Sequence, residues 1–105
     1  MEKRRHKRLD LKIPVTIRCN GTLIPATVLN VSCGGMCIQT ETSSISKDDL
    51  VEVSFDLDKS KKDLSLRGAV ARKTDDPVPC VSVQFGNFYS ESHKTLREYL
   101  HTRIY

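Results

Sequence analysis

The stretch IPVTIRCNGT, residues 13–22, decides the fold class of this chain. Apolar residues recur at every second position from Ile13 to Cys19. A period of two is typical of a β-strand with one buried face. Asn20-Gly21 follows, and this dipeptide favours a tight hairpin because both of its positions readily adopt positive φ. The stretch therefore predicts a strand, a two-residue turn and the start of a second strand.

The same alternation continues along most of the chain. Further strands are predicted over residues 22–31, 36–40, 51–57, 64–73 and 81–85. Pro25 interrupts the second run and indicates a bulge or an edge, because proline has no N–H for the ladder. Gly68 lies inside a later run and indicates a bulge or a tight barrel bend.

After Gly86 the period of the apolar residues changes. Residues 90–104 include good helix formers and no Gly or Pro, and their apolar members are Leu96, Tyr99, Leu100 and Ile104. This spacing is that of one face of an amphipathic helix, and Ser90 or Ser92 is its predicted N-cap. About six short antiparallel strands and one helix predict a mainly β fold, a small barrel with a C-terminal α-helix.

Length and composition indicate one globular domain, residues 1–105. The chain is long enough for a single modest core, and 29% charged residues are ordinary for such a domain. No apolar run approaches the roughly 18 residues of a membrane span, and no apolar signal-peptide core follows the basic N-terminus. We therefore expect a cytoplasmic protein without a membrane span.

The four cysteines are predicted to be reduced thiols that pack as small apolar side chains. They are Cys19, Cys33, Cys37 and Cys80. Only Cys33 and Cys37 are close in sequence, and no second Cys or His pair stands at zinc-ligand spacing. We expect neither a metal site nor a cofactor.

The basic charge is concentrated at the N-terminus. The net charge is +4, and residues 3–8, KRRHKR, hold five of the seventeen Lys and Arg residues. Such a segment suits an anionic partner: phosphate, nucleic acid or an acidic surface. A solvated tail that only aids solubility is the alternative.

The second informative stretch is LNVSCGGM, residues 29–36. In an extended chain, residues two apart point the same way, so Asn30 and Ser32 share one face and Leu29 and Val31 share the other. We expect the apolar pair to enter the barrel and the polar pair to stay outside. The two following glycines allow positive φ and let a ligand approach the backbone. Alternatively, these residues simply build a tight turn.

These two segments together resemble the PilZ domain family. Arg4 and Arg8 form an Arg-x-x-x-Arg motif, and NVSCGG reads Asn-x-Ser-x-x-Gly at residues 30, 32 and 35. The segments IPVTI, LRGAVARK and VSVQF extend the resemblance over essentially the whole chain. The resemblance implies a six-stranded antiparallel split barrel over residues 13–86, a helix over 90–104 and a flexible ligand-wrapping segment over 1–12.

The resemblance also implies a receptor for the bacterial second messenger cyclic di-GMP. Carried over by position, the wrapping arginines are Arg4 and Arg8, with Arg5 as a helper. The motif on the barrel that reads a guanine becomes Asn30, Ser32 and Gly35. Accessory candidates are Gly34, Ser82 and Arg72.

The residue types suit a ligand with two phosphates and two guanines. Arginine binds phosphate oxygens or the guanine O6/N7 edge through two parallel hydrogen bonds, and its flat face stacks on a base. The Asn30 amide offers both a donor and an acceptor. Two positions depart from the family pattern: Asn30 stands where aspartate is frequent, and Ser82 where many relatives have glycine. We predict that the basic segment is half of the binding site and becomes ordered around the ligand.

Two other functions stay open at this point. A small nucleic-acid-binding barrel would use the same basic segment, but such barrels stack bases on surface aromatics. The predicted strands offer only Phe55 and Phe85, and both alternate in phase with the apolar residues that are expected to face the core. A PilZ-like interaction module would keep the fold without binding a nucleotide. In the receptor reading, the signal passes to an unknown downstream protein.

Nothing in the sequence indicates an enzyme. The three histidines form no zinc-protease motif, and there is no Gly-x-Ser-x-Gly motif or Gly-rich phosphate loop. His93 and His101 are predicted to be surface residues of the helix.

Overall fold

The chain folds into strands and one helix in the part that the structure describes. This computed structural model describes residues 8–86 and 89–104. Its elements are β1 Leu9–Cys19, β2 Thr22–Val31, β3 Gly35–Gln39, β4 Leu50–Phe55, β5 Leu64–Thr74, β6 Cys80–Phe85 and α1 Glu91–Ile104.

The strands form one closed antiparallel barrel. Their order around it is β1-β2-β3-β6-β5-β4, and β4 pairs with β1 to complete the circle. Closure pairs each of these strands on both sides, which removes the exposed edges that short strands would otherwise present. The predicted class, a mainly β barrel with a C-terminal helix, is confirmed.

Alternate residues of the strands fill the barrel. In β1, Ile17 is fully buried and Val15 and Cys19 are nearly so, whereas Arg18 between them is exposed. Burial of an aliphatic side chain of this size contributes roughly 1.5–3 kcal/mol. The period of two in the sequence thus reflects one face of each strand turned to a common core.

The predicted hairpin between β1 and β2 is confirmed. Cys19 pairs with Thr22 across the turn, and φ is 53° at Asn20 and 80° at Gly21. Both turn residues are therefore in the left-handed region that this kind of hairpin requires.

The first strand begins at Leu9, whereas the sequence predicted a flexible segment up to residue 12. Asp10 already pairs with Asn30 of β2, and a register shift separates this pair from the regular ladder that starts at Ile13. Leu9 and Ile13 both pack, partly buried, against the core. The apolar alternation of β1 therefore extends further toward the N-terminus than predicted, and residues 1–7 lie outside the described part.

Pro25 and Gly68 occupy positions that suit their chemistry. Pro25 pairs with Thr16 of β1 but lies before the ladder between β2 and β3, which starts at Thr27. The predicted edge is therefore local to this end of β2, on the side of β3. At Gly68 an added Cβ would overlap the carbonyl oxygen of Gln84. The register shift of β5 comes only after Val70, so Gly68 marks a close approach of β5 to β6 and not a bulge.

The helix α1 packs on the barrel through its apolar face. Leu96, Tyr99 and Leu100 are buried. The Ser90 Oγ accepts a hydrogen bond of 3.1 Å from the backbone N–H of His93, which confirms Ser90 as the N-cap. No helix within residues 8–86 and 89–104 is long and apolar enough to cross a membrane.

Candidate functional site

Asn30 reaches the outer face of β2 because of a bulge. The register between β2 and β3 shifts between Val28 and Asn30, with Leu29 as the extra residue. Val28 and Val31 are both buried, whereas Leu29 and Asn30 are half-buried. The prediction that Leu29 and Val31 enter the core together is therefore wrong for Leu29, since a bulge breaks the strict alternation of the strand.

Arg8 contacts Asn30 directly. The Nη1 of Arg8, just before β1, donates a hydrogen bond of 2.6 Å to the Oδ1 of Asn30. The Nε of Arg8 is buried and has no hydrogen-bond partner within the described part of the chain. The contact joins one residue of the arginine motif to one residue of the barrel motif, and it uses one of the guanidinium N–H donors.

Ser32 is engaged within its own turn. Its backbone N–H donates to the Gly35 carbonyl at 2.8 Å, and its Oγ donates to the same carbonyl at 3.3 Å. The Oγ also accepts a hydrogen bond of 3.2 Å from the Gly34 N–H. Only 4% of the surface of Ser32 is exposed, so the prediction that the polar pair stays outside is wrong for Ser32. Its hydrogen bonds hold the 32–35 turn together.

The two glycines of this turn do not adopt positive φ, contrary to the expectation from the sequence. Within residues 8–86 and 89–104, Gly21 is the only glycine with positive φ. Gly35 instead lies against β6, where an added Cβ would overlap the carbonyl oxygen of Val83. The Gly34 carbonyl accepts a hydrogen bond of 2.9 Å from the Phe85 N–H. Gly35 thus permits the close approach of β3 to β6.

The ladder aligns Asn30 with two of the accessory candidates. Asn30 pairs with Cys37 of β3, Cys37 with Ser82 of β6, and Ser82 with Arg72 of β5. Their side chains lie on the outer face, and Arg72 is exposed. Neighbouring strands are about 4.8 Å apart, so this cross-strand row of Asn30, Cys37, Ser82 and Arg72 spans an area suited to a small ligand.

Cys37 is the member of the cross-strand row that the sequence did not assign to the site. Its parity in β3, between the buried Met36 and Ile38, was the signal that could have placed it outside. Burial, followed by the proximity of the Cys37 thiol, raises the pKa of Cys80 two residues before Ser82. Cys80 therefore stays a neutral thiol and adds no charge to this surface.

His93 contacts the 32–35 turn from the helix. Its Nε2 lies 2.7 Å from the carbonyl oxygen of Cys33, and its ring packs edge-on against Phe85 with centroids 6.2 Å apart. Only 2% of its surface is exposed, so the predicted surface position of His93 is wrong. His93 lies three residues before Leu96 and seven before Leu100, which places it on the buried face of α1.

Arg4 and Arg5 lie outside the described residues, so their assignment stays a prediction. Of the remaining candidates, the structure brings Arg8, Asn30, Ser82 and Arg72 to one outer surface, with Ser32, Gly34 and Gly35 in the adjoining turn.

A second groove lies around the exposed Leu50 at the start of β4. Its lining includes Arg18, Glu52 and Arg67, and Glu52 forms ion pairs of 3.7 Å with Arg18 and 3.6 Å with Arg67. The cations of this groove are thus paired within the protein, whereas Arg8 at the row contacts a neutral amide.

The fold is a small closed barrel with one C-terminal helix. The chain belongs to the PilZ domain family, which it matches over residues 2–102, a family of cyclic di-GMP receptors. No curated protein sequence matches the chain.

Three solved structures share the fold. The inhibitor of motility MotI/DgrA of Bacillus subtilis is 17% identical with a TM-score of 0.83; the match covers 98% of this chain and 52% of that chain, so this chain spans about half the length of MotI/DgrA. The PilZ domain of CeSA from a cellulose-synthesizing bacterium is 19% identical with a TM-score of 0.71, and the match covers 90% of this chain and 98% of that chain. The PilZ domain with c-di-GMP of YcgR from Escherichia coli is 16% identical with a TM-score of 0.73, and the match covers 96% of this chain and 91% of that chain.

Proposed function

We propose that this chain is a cyclic di-GMP receptor that binds its ligand between the N-terminal arginines and the cross-strand row. The hydrogen bond from Arg8 to Asn30 carries the proposal, because it joins the two motifs on one surface although they are 22 residues apart in sequence. The solved PilZ domain of YcgR with c-di-GMP, which shares this fold, supports the choice of ligand.

The free donors of Arg8 suit the ligand's acceptors. A guanidinium carries five N–H donors in a fixed fork, and one of them serves Asn30. The remaining Nη donors match a phosphate or the O6 and N7 atoms of a guanine. The Asn30 oxygen has a second lone pair for a guanine N–H, and its amide nitrogen can donate in turn.

The remaining candidates have graded roles in this proposal. Ser82 and Arg72 extend the contact surface along the row, with Arg72 as a second positive charge. Arg4 and Arg5 bind the phosphates from the N-terminal segment. Ser32, Gly34 and Gly35 shape the turn beside Asn30. Their polar groups bind the ligand only through donors and acceptors that the hydrogen bonds within the turn do not use.

The number of contacts suffices for useful affinity. A hydrogen bond to a charged group contributes roughly 1.5–3 kcal/mol net, and micromolar binding needs about 8 kcal/mol. Several arginine contacts together with one amide contact therefore reach the micromolar range, even after ordering of the segment that carries Arg4 and Arg5 is subtracted.

The output of such a receptor is an interaction with a protein. PilZ domains are receptor and adaptor modules, not enzymes. We infer that the ligand, held between the N-terminal segment and the barrel, creates a surface that a downstream partner recognises.

Isothermal titration calorimetry with cyclic di-GMP tests the proposal. Linear pGpG, GTP and cyclic GMP-AMP serve as ligand controls, and the site variants are Arg4→Ala, Arg8→Ala, Arg8→Lys and Asn30→Ala. Arg18→Lys is the matched control, because Arg18 lies at the second groove in an ion pair with Glu52.

We expect low-micromolar or tighter binding of the cyclic ligand. Arg8→Lys should lose roughly tenfold in affinity or more, because lysine keeps the charge but lacks the fork, whereas Arg18→Lys should bind as the wild type does. Absence of binding at high micromolar ligand would refute the proposal. Binding of single-stranded oligonucleotides or of a protein partner alone would then support one of the other two functions.

A further inference from the structure

The helix α1 reaches the ligand site through one buried side chain. His93 contacts the carbonyl of Cys33, which lies in the 32–35 turn two residues before Gly35 of the barrel motif. Because a carbonyl oxygen only accepts hydrogen bonds, the Nε2 of His93 carries the hydrogen and donates it. The turn is thus held from the helix side as well as from within.

Within residues 8–86 and 89–104, the turn is also held by its own hydrogen bonds and by β6. The hydrogen bonds among Ser32, Gly34 and Gly35 close the turn on itself, and the Gly34 carbonyl binds β6 through Phe85. His93 joins the turn to α1 by a hydrogen bond. Its ring also packs on Phe85, so one side chain touches both the turn and its support.

The helix itself is fixed to the barrel by separate contacts. Ser92 Oγ accepts a hydrogen bond of 3.0 Å from the Ser65 N–H of β5, and Leu96 and Leu100 are buried. One turn after His93, the Arg97 guanidinium acts on the Cys33 thiol and opposes the rise of its pKa that burial causes. His93 and Arg97 are four residues apart and therefore lie on the same face of α1. Both act on Cys33, His93 on its carbonyl and Arg97 on its thiol.

We propose that His93 is a positioning residue of the ligand site: it holds the 32–35 turn in the geometry that places Asn30 for the ligand, and it couples that turn to the seating of α1. The inference rests on the proposed function for the identity of the ligand. Coupling of this kind is reciprocal, so a seated helix that raises ligand affinity is itself stabilised by the ligand to the same degree.

Two amide variants separate positioning from mere packing. In His93→Gln the side-chain nitrogen lies where Nε2 of histidine lies, so the donor to Cys33 is kept. In His93→Asn the nitrogen falls short by one methylene. Ser92→Ala is the matched control, because it removes a contact of α1 to β5 without touching the turn.

Cyclic di-GMP affinity and amide hydrogen exchange of Ser32 and Gly34 are measured for the full chain, at a temperature where circular dichroism shows each variant folded. We expect His93→Asn to lose at least tenfold in affinity and to exchange both amides at least tenfold faster in the free protein. His93→Gln should stay within threefold of the wild type in both. Ser92→Ala weakens the seating of α1 but keeps the His93 donor, so it too should stay within threefold in both.

A His93→Asn variant that binds as the wild type does, with unchanged exchange in the turn, would overturn the inference. Equal losses in His93→Gln and His93→Asn would also overturn it, because packing and not the donor would then matter. If the wild type binds no cyclic di-GMP, the proposed function fails, and the exchange data in the free protein still decide whether His93 holds the turn.

Discussion

The Arg8–Asn30 contact lies beside the 32–35 turn, but the two regions use their polar groups in opposite ways. Arg8 and Asn30 are half-buried, make one hydrogen bond of 2.6 Å and keep further donors and acceptors. Ser32 in the turn is 4% exposed, and its hydroxyl both donates and accepts within the turn. One short motif thus joins a residue available for ligand chemistry to residues that fix the shape of its support.

The sharpest test of the shape-fixing role is Gly35→Ala. The new Cβ would overlap the backbone carbonyl of Val83, and neither strand can move away without breaking barrel pairing. We expect a loss of about 3 kcal/mol in unfolding free energy, at the upper end of overpacking effects, and a melting temperature lower by roughly 10–20 °C. Thermal and urea denaturation measure both.

Gly86→Ala is the matched control for this substitution. Its added Cβ meets nothing within 4 Å, so its stability should stay within about 0.5 kcal/mol of the wild type. If Gly35→Ala kept wild-type stability and lost only cyclic di-GMP binding, Gly35 would serve ligand approach instead of strand approach.

Substitutions of Ser32 and Asn30 should differ in whether they lower stability or ligand affinity, with smaller effects than Gly35→Ala. Ser32→Ala leaves the Gly34 N–H without its partner in a nearly buried turn, so we expect a loss of about 1–2 kcal/mol in stability. Asn30→Ala should cost at most about 0.5 kcal/mol in stability, because the contact with Arg8 is partly exposed. It should weaken cyclic di-GMP binding by at least roughly tenfold, or about 1.4 kcal/mol.

Calorimetric titration and denaturation of the same two preparations decide this split. Titration is done on samples shown to be folded, so that lost stability does not count as lost affinity. Equal loss of affinity in Ser32→Ala and Asn30→Ala would mean that both side chains contact the ligand directly. Equal loss of stability would mean that Asn30, too, is mainly structural.

The sequence predicted the barrel well because alternation of apolar residues is a direct imprint of a two-faced strand. Bulges leave no such imprint, and this is why the position of Leu29 was missed. The cross-strand row could not be read from the sequence either, since Cys37, Ser82 and Arg72 meet only because β6 lies between β3 and β5.

His93 shows a different limit of sequence reasoning. Its spacing to Leu96 and Leu100 put it on the apolar face, but a histidine there can equally lie at the rim of that face. Only the position of the Cys33 carbonyl, which depends on how α1 meets the barrel, explains why this polar ring is buried.

The smallest expected effect tests how far the ligand surface extends along the row. Arg72 is exposed and lies opposite Ser82, and two strands, β3 and β6, separate it from the strand that carries Asn30. An exposed ion pair in direct contact contributes about 0.2–1 kcal/mol, so Arg72→Ala should weaken cyclic di-GMP binding by no more than two- to threefold. The loss should shrink at 0.5 M salt, because screening acts on exposed charges first.

Arg103→Ala is the control for this last substitution. It removes the same positive charge at the end of α1, where Arg103 stacks on Tyr99 and is not part of the row. Titrations at low and high salt compare the two variants. A tenfold, salt-independent loss in Arg72→Ala would mean that the guanidinium binds the ligand directly through its fork. Equal losses in both variants would mean that only the net charge of the domain matters, and the ligand surface would then end before β5.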